Sequence, residues 1–126
     1  MVEAAVEQGI AEMIETARRA FGDRLRRVVL YGSYARGDYD AESDVDLLIV
    51  ADSVSAEARD QLVHAMSELC IRMGRLIVPS VLDTARWQWL VEEEAPIALN
   101  IMREGRVLWS AERGDDASSR SAVEEA

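Results

Sequence analysis

The chain has 126 residues, enough for one small domain, and carries a formal net charge of −10 at pH 7. An acidic chain repels the phosphates of nucleic acid, so we expect no direct nucleic-acid binding. No stretch approaches the roughly 20 apolar residues of a membrane span, so we expect no membrane contact either.

The N-terminal segment and the single cysteine predict a cytoplasmic protein. The segment carries acids at Glu3, Glu7 and Glu12 and lacks the basic start of a secretory signal. Cys70 has no second cysteine with which to form an internal disulfide, which fits a reducing compartment. The apolar helical pattern around Cys70 indicates a buried structural thiol.

The first predicted elements are a helix and a short strand. Apolar residues recur every three or four positions from Val2 to Phe21, which predicts an amphipathic helix. The β-branched run from Arg27 to Tyr31 predicts the first strand. A cluster of arginines between them is either a solvated basic edge or a contact for a bound phosphate or a protein partner. Its members are Arg18, Arg19, Arg24, Arg26 and Arg27.

A turn rich in glycine and serine follows the first strand. Gly32 and Ser33 end the strand, and residues 35–36 can form a short helix that Gly37 stops. Residues 38–43 are polar and typical of turns. The backbone N–H groups of Ser33, Tyr34 and Ala35 would open the short helix, where amides can bind an anion.

Two aspartates lie at the start of the next apolar run. Residues 45–51 are apolar on both faces past Asp46, which predicts a central strand. Alternate side chains of a strand share a face, so Asp44 and Asp46 are expected to point to one place. Two converging carboxylates beside a glycine–serine turn suit a hard cation such as Mg²⁺ and a phosphate. Each feature alone is common, but buried charges at a strand start are costly unless something pairs them.

The second half of the chain predicts three more helices and two more strands. Ser53 or Ser55 can cap a helix that Gly74 ends. Pro79 lies in the strand of residues 76–82, which favours an edge position or a bulge. The remaining elements are a helix capped by Thr84 and running to about Glu94, a helix from Ile97 to Glu104 begun by Pro96, and a strand from Arg106 to Trp109.

Three side chains of the predicted helices have alternative roles. Trp87 and Trp89 face different sides of one helix, so we expect one in the core and one exposed as an anchor for a partner. His64 is the single histidine and lies off the apolar stripe of its helix. We therefore expect a solvated surface histidine rather than a catalytic base.

The order of the elements predicts an α+β fold with α/β layers: a small mixed β-sheet with helices packed on it. We expect residues 1–110 to form the domain. Residues 111–126 are acidic and have almost nothing to bury, so we expect a disordered tail.

The central motif also resembles a family signature. Gly32-Ser33, ten further residues and then Asp44-Val45-Asp46 resemble the signature of the DNA polymerase β-like nucleotidyltransferase superfamily. Residues 35–37 and 43–47 look like its small bacterial and archaeal branch, the minimal nucleotidyltransferases (MNT). The resemblance covers about residues 10–109 and implies the nucleotidyltransferase fold. Many such proteins are antitoxins of HEPN-domain ribonuclease toxins, and active members transfer AMP from ATP to a tyrosine of the toxin.

The resemblance implies roles for five residues. Gly32, Ser33 and Arg36 would bind the triphosphate of ATP. Asp44 and Asp46 would be the catalytic carboxylates and would hold Mg²⁺. The implied cofactors are therefore Mg²⁺ and ATP as the nucleotide donor, and the implied partner is a HEPN-domain toxin in a hetero-oligomer.

One part of the family pattern is missing. The family usually carries a third carboxylate on the following strand, and Ser80 stands at the matching position. Asp83 is the nearest acid, but its odd spacing from Ser80 places it on the opposite face unless Pro79 introduces a bulge. Loss of a general base would cost about 10²–10⁴-fold in rate.

Three functions follow as alternatives. The first is a Mg²⁺-dependent nucleotidyltransferase that acts as an antitoxin by transferring AMP to a HEPN toxin. The second is a weak or inactive nucleotidyltransferase-like module that neutralises the toxin by complex formation. The third is a transferase for a small molecule such as an aminoglycoside, and such enzymes generally carry an additional helical domain for which this chain has no room.

Overall fold

The computed structural model describes residues 4–112 and the backbone of residues 120–121. Five α-helices, one short 3₁₀ helix and five strands lie in this part of the chain. In chain order they are α1 (Ala4–Phe21), the 3₁₀ helix (Gly22–Arg24), β1 (Leu25–Tyr31), α2 (Ser33–Arg36), β2 (Val45–Ala51), α3 (Ala56–Met73), β3 (Ile77–Asp83), α4 (Thr84–Glu92), α5 (Pro96–Glu104), β4 (Arg106–Ser110) and β5 (Arg120–Ser121).

The strands form one mixed sheet in the order β3-β2-β1-β4-β5. β1 pairs antiparallel with both β2 and β4, and β2 pairs parallel with β3. The predicted central position of β2 is confirmed, and Pro79 lies on edge strand β3, where its missing N–H leaves no interior ladder bond unmade. The predicted α+β architecture with a mixed sheet is therefore confirmed.

Helices cover both faces of the sheet. On one face α1 and α3 bury residues such as Met13 and Leu62 against Ile49. On the other face α4 and α5 bury Trp87 and Ile101 against a second set of strand side chains, which includes Leu48 and Val50. Because strand side chains alternate, Asp46 shares the face of Leu48 and Val50. The α4–α5 layer thus lies on the side of the sheet to which Asp46 points.

Several local predictions are confirmed by the helix ends. The Ser55 hydroxyl accepts from the Ala58 N–H at 3.0 Å and caps α3, and Gly74 ends α3 with φ 68°. Pro96 opens α5. The cap of α4 differs from the prediction: the Asp83 carboxylate, not Thr84, accepts from the Arg86 N–H at 2.7 Å.

The side chains with alternative roles are resolved by their burial. Trp87 is 6% exposed and belongs to the core, whereas Trp89 is 49% exposed, with the Arg86 guanidinium 5.0 Å from its ring centroid. His64 is exposed beside Glu68, as expected for a surface histidine. Cys70 is only half-buried, so the expectation of a buried thiol is wrong.

The predicted tail falls mainly outside the described residues. Residues 111–112 form a turn, and the backbone of Arg120–Ser121 pairs with β4 as a two-residue strand. Within residues 4–112, no helix is both long enough and apolar enough to cross a bilayer.

Candidate active site

The turn after β1 is built on two glycines with positive φ. Gly32 has φ 79° and precedes the single turn of α2, and Gly37 has φ 88° and ends it, as predicted. The N–H groups of Ala35 and Arg36 donate to the Gly32 carbonyl at 3.1 and 3.0 Å. The Ala35 amide is therefore used inside the turn and does not belong to the predicted anion site. The Ser33 amide still belongs to the predicted site, because the first turn of a helix has no intrahelical acceptor for it.

The turn lies directly against the Asp46 carboxylate. Tyr31 pairs with Asp46 across β1 and β2, so the residue after Tyr31 reaches the carboxylate. A Cβ at Gly32 would overlap Oδ2 of Asp46 and lie 3.2 Å from its Cγ. The glycine and the second aspartate of the motif therefore meet in space, although they are separated along the chain.

The loop before β2 is held by its own polar groups. The Asp40 N–H donates to the Ser43 hydroxyl at 2.9 Å, and the Ser43 N–H donates back to the Asp40 carbonyl at 3.2 Å. Tyr39 stacks on the buried ring of Tyr34 with 4.2 Å between ring centroids. These contacts fix the chain immediately before Asp44, so Ser43 has a structural role in the turn.

The two aspartates are electrostatically coupled. Asp44 is exposed and Asp46 is half-buried. Burial raises the pKa of the Asp46 carboxyl, the negative charge of Asp44 raises it further, and the Arg36 guanidinium opposes both. A cation beside the two carboxylates would relieve this repulsion, so the pair fits a hard metal ion.

Ser80, which matches the third acid of the family pattern, lies beside the hydroxyl of a tyrosine. Val78 lies opposite Asp46, so Ser80, two positions further on, shares the Asp46 face. The Ser80 hydroxyl lies 3.3 Å from the Tyr31 hydroxyl. Ser80 thus presents an uncharged hydroxyl on the face of the sheet that carries Asp46.

Asp83 does not replace that carboxylate. It pairs with Ala51, five positions along β2 from Asp46, which is about 16 Å at the rise of a strand. Its side chain caps α4 instead. Within the described residues, no group of three or more acids, histidines or cysteines is close enough to hold a metal ion.

A different acid, which the motif does not contain, reaches the turn. Oε1 of Glu104, at the end of α5, accepts from the Gly32 N–H at 3.2 Å and from the Arg36 guanidinium at 3.0 Å. The other side of the Arg36 guanidinium pairs with Asp38 at 3.1 Å. Glu104 lies 72 residues from Gly32, and the sequence offers only the end of an amphipathic helix there. Nothing local could have indicated this contact.

The arginine cluster lies at the other end of the sheet. Three of its members line a cleft of about 550 Å³ beside the start of β1, together with Trp109. The seven-residue strand β1 separates this cleft from Gly32 by about 20 Å. The alternative in which these arginines contact a triphosphate at Gly32 is therefore wrong, because they lie too far from it. Two of them form salt bridges at this edge: Arg18 pairs with Glu15, and Arg26 pairs with Asp52.

Comparison of the sequence with known proteins identifies a matching family and a relative. The family model of the nucleotidyltransferase domain matches residues 10–117. A candidate protein adenylyltransferase of Methanocaldococcus jannaschii is 29% identical over 103 residues, which are 82% of this chain and 97% of that protein.

Two solved structures share the fold. The spectinomycin adenyltransferase of Enterococcus faecialis, solved with ATP and spectinomycin, superposes with a TM-score of 0.69 at 14% identity, over 83% of this chain and 56% of that enzyme. The second structure is the tri-AMPylated HEPN toxin of Shewanella oneidensis in complex with MNT antitoxin. One chain of that complex superposes with a TM-score of 0.50 at 19% identity, over 85% of this chain and 74% of the matched chain.

Proposed function

Because the chain belongs to the nucleotidyltransferase domain family, we propose that it transfers AMP from ATP to a HEPN-type toxin in a Mg²⁺-dependent reaction. In this reaction an acceptor hydroxyl oxygen bonds to the α-phosphorus of ATP. The bond from that phosphorus to the bridging oxygen breaks, pyrophosphate leaves, and the hydroxyl proton is released. The AMP group blocks the toxin, and the chain thereby acts as its antitoxin.

The close packing of Gly32 against the Asp46 carboxylate carries this proposal. It brings a turn with first-turn amides and a carboxylate pair to one place. A nucleotidyl transfer needs little more than positioning of the phosphates and neutralisation of their charge. A glycine is required at this point, because any side chain would displace the carboxylate.

Asp44 and Asp46 are the residues that would hold Mg²⁺. Their two carboxylates would supply the oxygen ligands that Mg²⁺ prefers. A bound ion would stabilise negative charge on the phosphates and on the leaving group.

The residues of the turn orient the triphosphate. The Ser33 amide and the Ser33 hydroxyl donate hydrogen bonds to phosphate oxygens. The Arg36 guanidinium lies beside Gly32 and adds a positive charge that does not titrate. Together these groups partly offset the acidity of the chain, which would otherwise repel a nucleotide.

Transfer of labelled AMP tests the proposal. The protein is incubated with Mg²⁺, ATP labelled on the α-phosphate and a purified HEPN-domain protein, and we expect the label on the HEPN-domain protein. Asp44→Asn and Asp46→Asn should each lower the transfer rate by about 10³-fold, since charge stabilisation by a metal contributes several kcal/mol. Asp60→Asn removes an exposed acid from α3 and should leave the rate unchanged. No transfer by the natural sequence would refute the proposed activity.

A second function is favoured by the Ser80 position. With a hydroxyl where a third carboxylate is usual, and with Asp83 used as a helix cap, the chain would neutralise the toxin by binding alone. Rescue of growth from the toxin separates the two functions. Rescue by the Asp44→Asn/Asp46→Asn double variant supports neutralisation by binding, whereas loss of rescue supports AMP transfer.

A further inference from the structure

The Glu104 carboxylate is bound by two hydrogen-bond donors of the turn. It is 16% exposed, and one of its oxygens accepts from both the Gly32 N–H and the Arg36 guanidinium. A backbone amide and a guanidinium converging on one oxygen are the groups that proteins also use for a phosphate oxygen. The turn therefore already holds an anion, supplied by the chain itself.

Two neighbouring features repel the negative charge of the Glu104 carboxylate. Glu104 is the last residue of α5, and the C-terminus of a helix carries partial negative charge, so a carboxylate there is unfavourable. Its charge also acts on Asp46, in the direction that disfavours the ionised form of that side chain. The contacts with Gly32 and Arg36 are what offset this repulsion and hold the carboxylate at the turn.

On the basis of the proposed nucleotide site, we propose that Glu104 is an intramolecular competitor of the triphosphate. In the nucleotide-free protein its carboxylate satisfies Gly32 and Arg36. When a nucleoside triphosphate binds, a phosphate oxygen takes over these two donors and the carboxylate leaves. The apparent Kd for ATP is therefore raised, because only the molecules in which Glu104 has left the turn can bind the triphosphate.

Glu104→Gln tests this competition by equilibrium binding. The amide keeps the shape of the side chain but removes the charge that makes it a strong acceptor for Arg36. We expect the Kd for ATP, measured by calorimetry in EDTA and again in Mg²⁺, to fall about three- to tenfold, the range set by a hydrogen bond to a charged group that is partly exposed. Glu104→Ala, which removes both contacts, should lower the Kd at least as much.

Two probes and one control variant make the test specific. Inorganic tripolyphosphate should show the same gain in affinity as ATP, and adenosine should show none, because only phosphate oxygens compete with the carboxylate. Glu92→Gln removes an equal charge from an exposed position on α4 and should leave all three affinities unchanged. Circular dichroism confirms that each variant is folded.

The outcomes separate this inference from the proposed function. ATP binding that is unchanged or weaker in Glu104→Gln, with ATP bound by the natural sequence, overturns the competitor and leaves the nucleotide site intact. Absence of ATP binding by both proteins overturns the nucleotide site itself. Binding by Glu104→Gln alone supports the competitor in its strongest form.

Discussion

At the residue scale, the absence of a side chain at Gly32 has two separate causes. Its φ of 79° is a conformation that residues with a Cβ rarely adopt, and the space where a Cβ would lie is filled by the Asp46 carboxylate. Gly37 meets only the first constraint, since its φ is 88° and nothing lies within 4 Å of the ideal Cβ position. The two glycines therefore form a matched pair.

Gly32→Ala should destabilise the protein more than Gly37→Ala. We expect about 1–2 kcal/mol of backbone strain for Gly37→Ala, and at least 1 kcal/mol more for Gly32→Ala because the carboxylate must move. Unfolding in urea measures both values. Nucleotide binding should be lost only in Gly32→Ala. Equal destabilisation by the two variants would contradict the close packing of Gly32 against Asp46.

The raised pKa of Asp46 predicts how stability depends on pH. The folded protein holds this proton more tightly than the unfolded chain, so the Asp46 contribution to stability falls as pH rises from about 4 through the raised pKa. Asp46→Asn removes the charge and should raise the stability of the metal-free protein at neutral pH. The gain should shrink towards pH 4, as measured by urea unfolding in EDTA. A variant less stable than the natural sequence at pH 7 would contradict this expectation.

At the scale of elements, the junction of β3 and α4 explains why the Asp83 carboxylate lies far from Asp46. β3 pairs in parallel register with β2 through to Asp83, with Ser80 opposite Leu48 and without a bulge. The register therefore keeps Asp83 at the far end of the strand, where its carboxylate meets the first amides of α4. Pro79 is accommodated at the sheet edge and does not turn Asp83 towards Asp46.

Asp83→Ala should cost stability without cost to catalysis. Loss of an N-cap costs about 1 kcal/mol, and the AMP transfer rate should remain that of the natural sequence at a temperature where both proteins are folded. Asp83→Asn keeps a capping oxygen and should recover most of the stability. A fall of tenfold or more in the transfer rate of Asp83→Asn would show that its charge takes part in the reaction.

At the scale of the whole molecule, the layers on the two sides of the sheet have different roles. The layer of α1 and α3 provides the larger core cluster. The layer of α4 and α5 covers the face that carries Asp46, and its α5 ends beside Gly32. A ligand that bound at the turn would therefore act on the contact with α5 as well as on the sheet.

Nucleotide and metal should stabilise the whole domain together. At a ligand concentration of about 100 times Kd, binding to the folded state adds about 2.7 kcal/mol to the free energy of unfolding. For a chain of this size we expect the Tm to rise by about 10 °C with Mg²⁺ and ATP. Removal of Mg²⁺ with EDTA, or the Asp44→Asn/Asp46→Asn double variant, should abolish most of the rise. An equal rise in the double variant would place the binding site elsewhere.

The sequence by itself determined the features that depend on neighbouring residues. Alternation of side chains places Asp46 on one face of a buried strand, and a glycine at each end of residues 33–36 defines a single helical turn. The spacing of Gly32, Ser33, Asp44 and Asp46 is enough to indicate the family. These patterns are local because backbone dihedrals and strand periodicity act over a few residues.

Only the tertiary structure decided which acids face the turn. Asp83 follows the strand expected to carry the third carboxylate, yet the parallel register directs it to the N-terminus of α4. Glu104 has no motif around it, yet the packing of α5 on the sheet brings it to Gly32 and Arg36. Such contacts depend on how helices pack on the sheet over long separations in sequence, and periodicity along the chain carries no information about that packing.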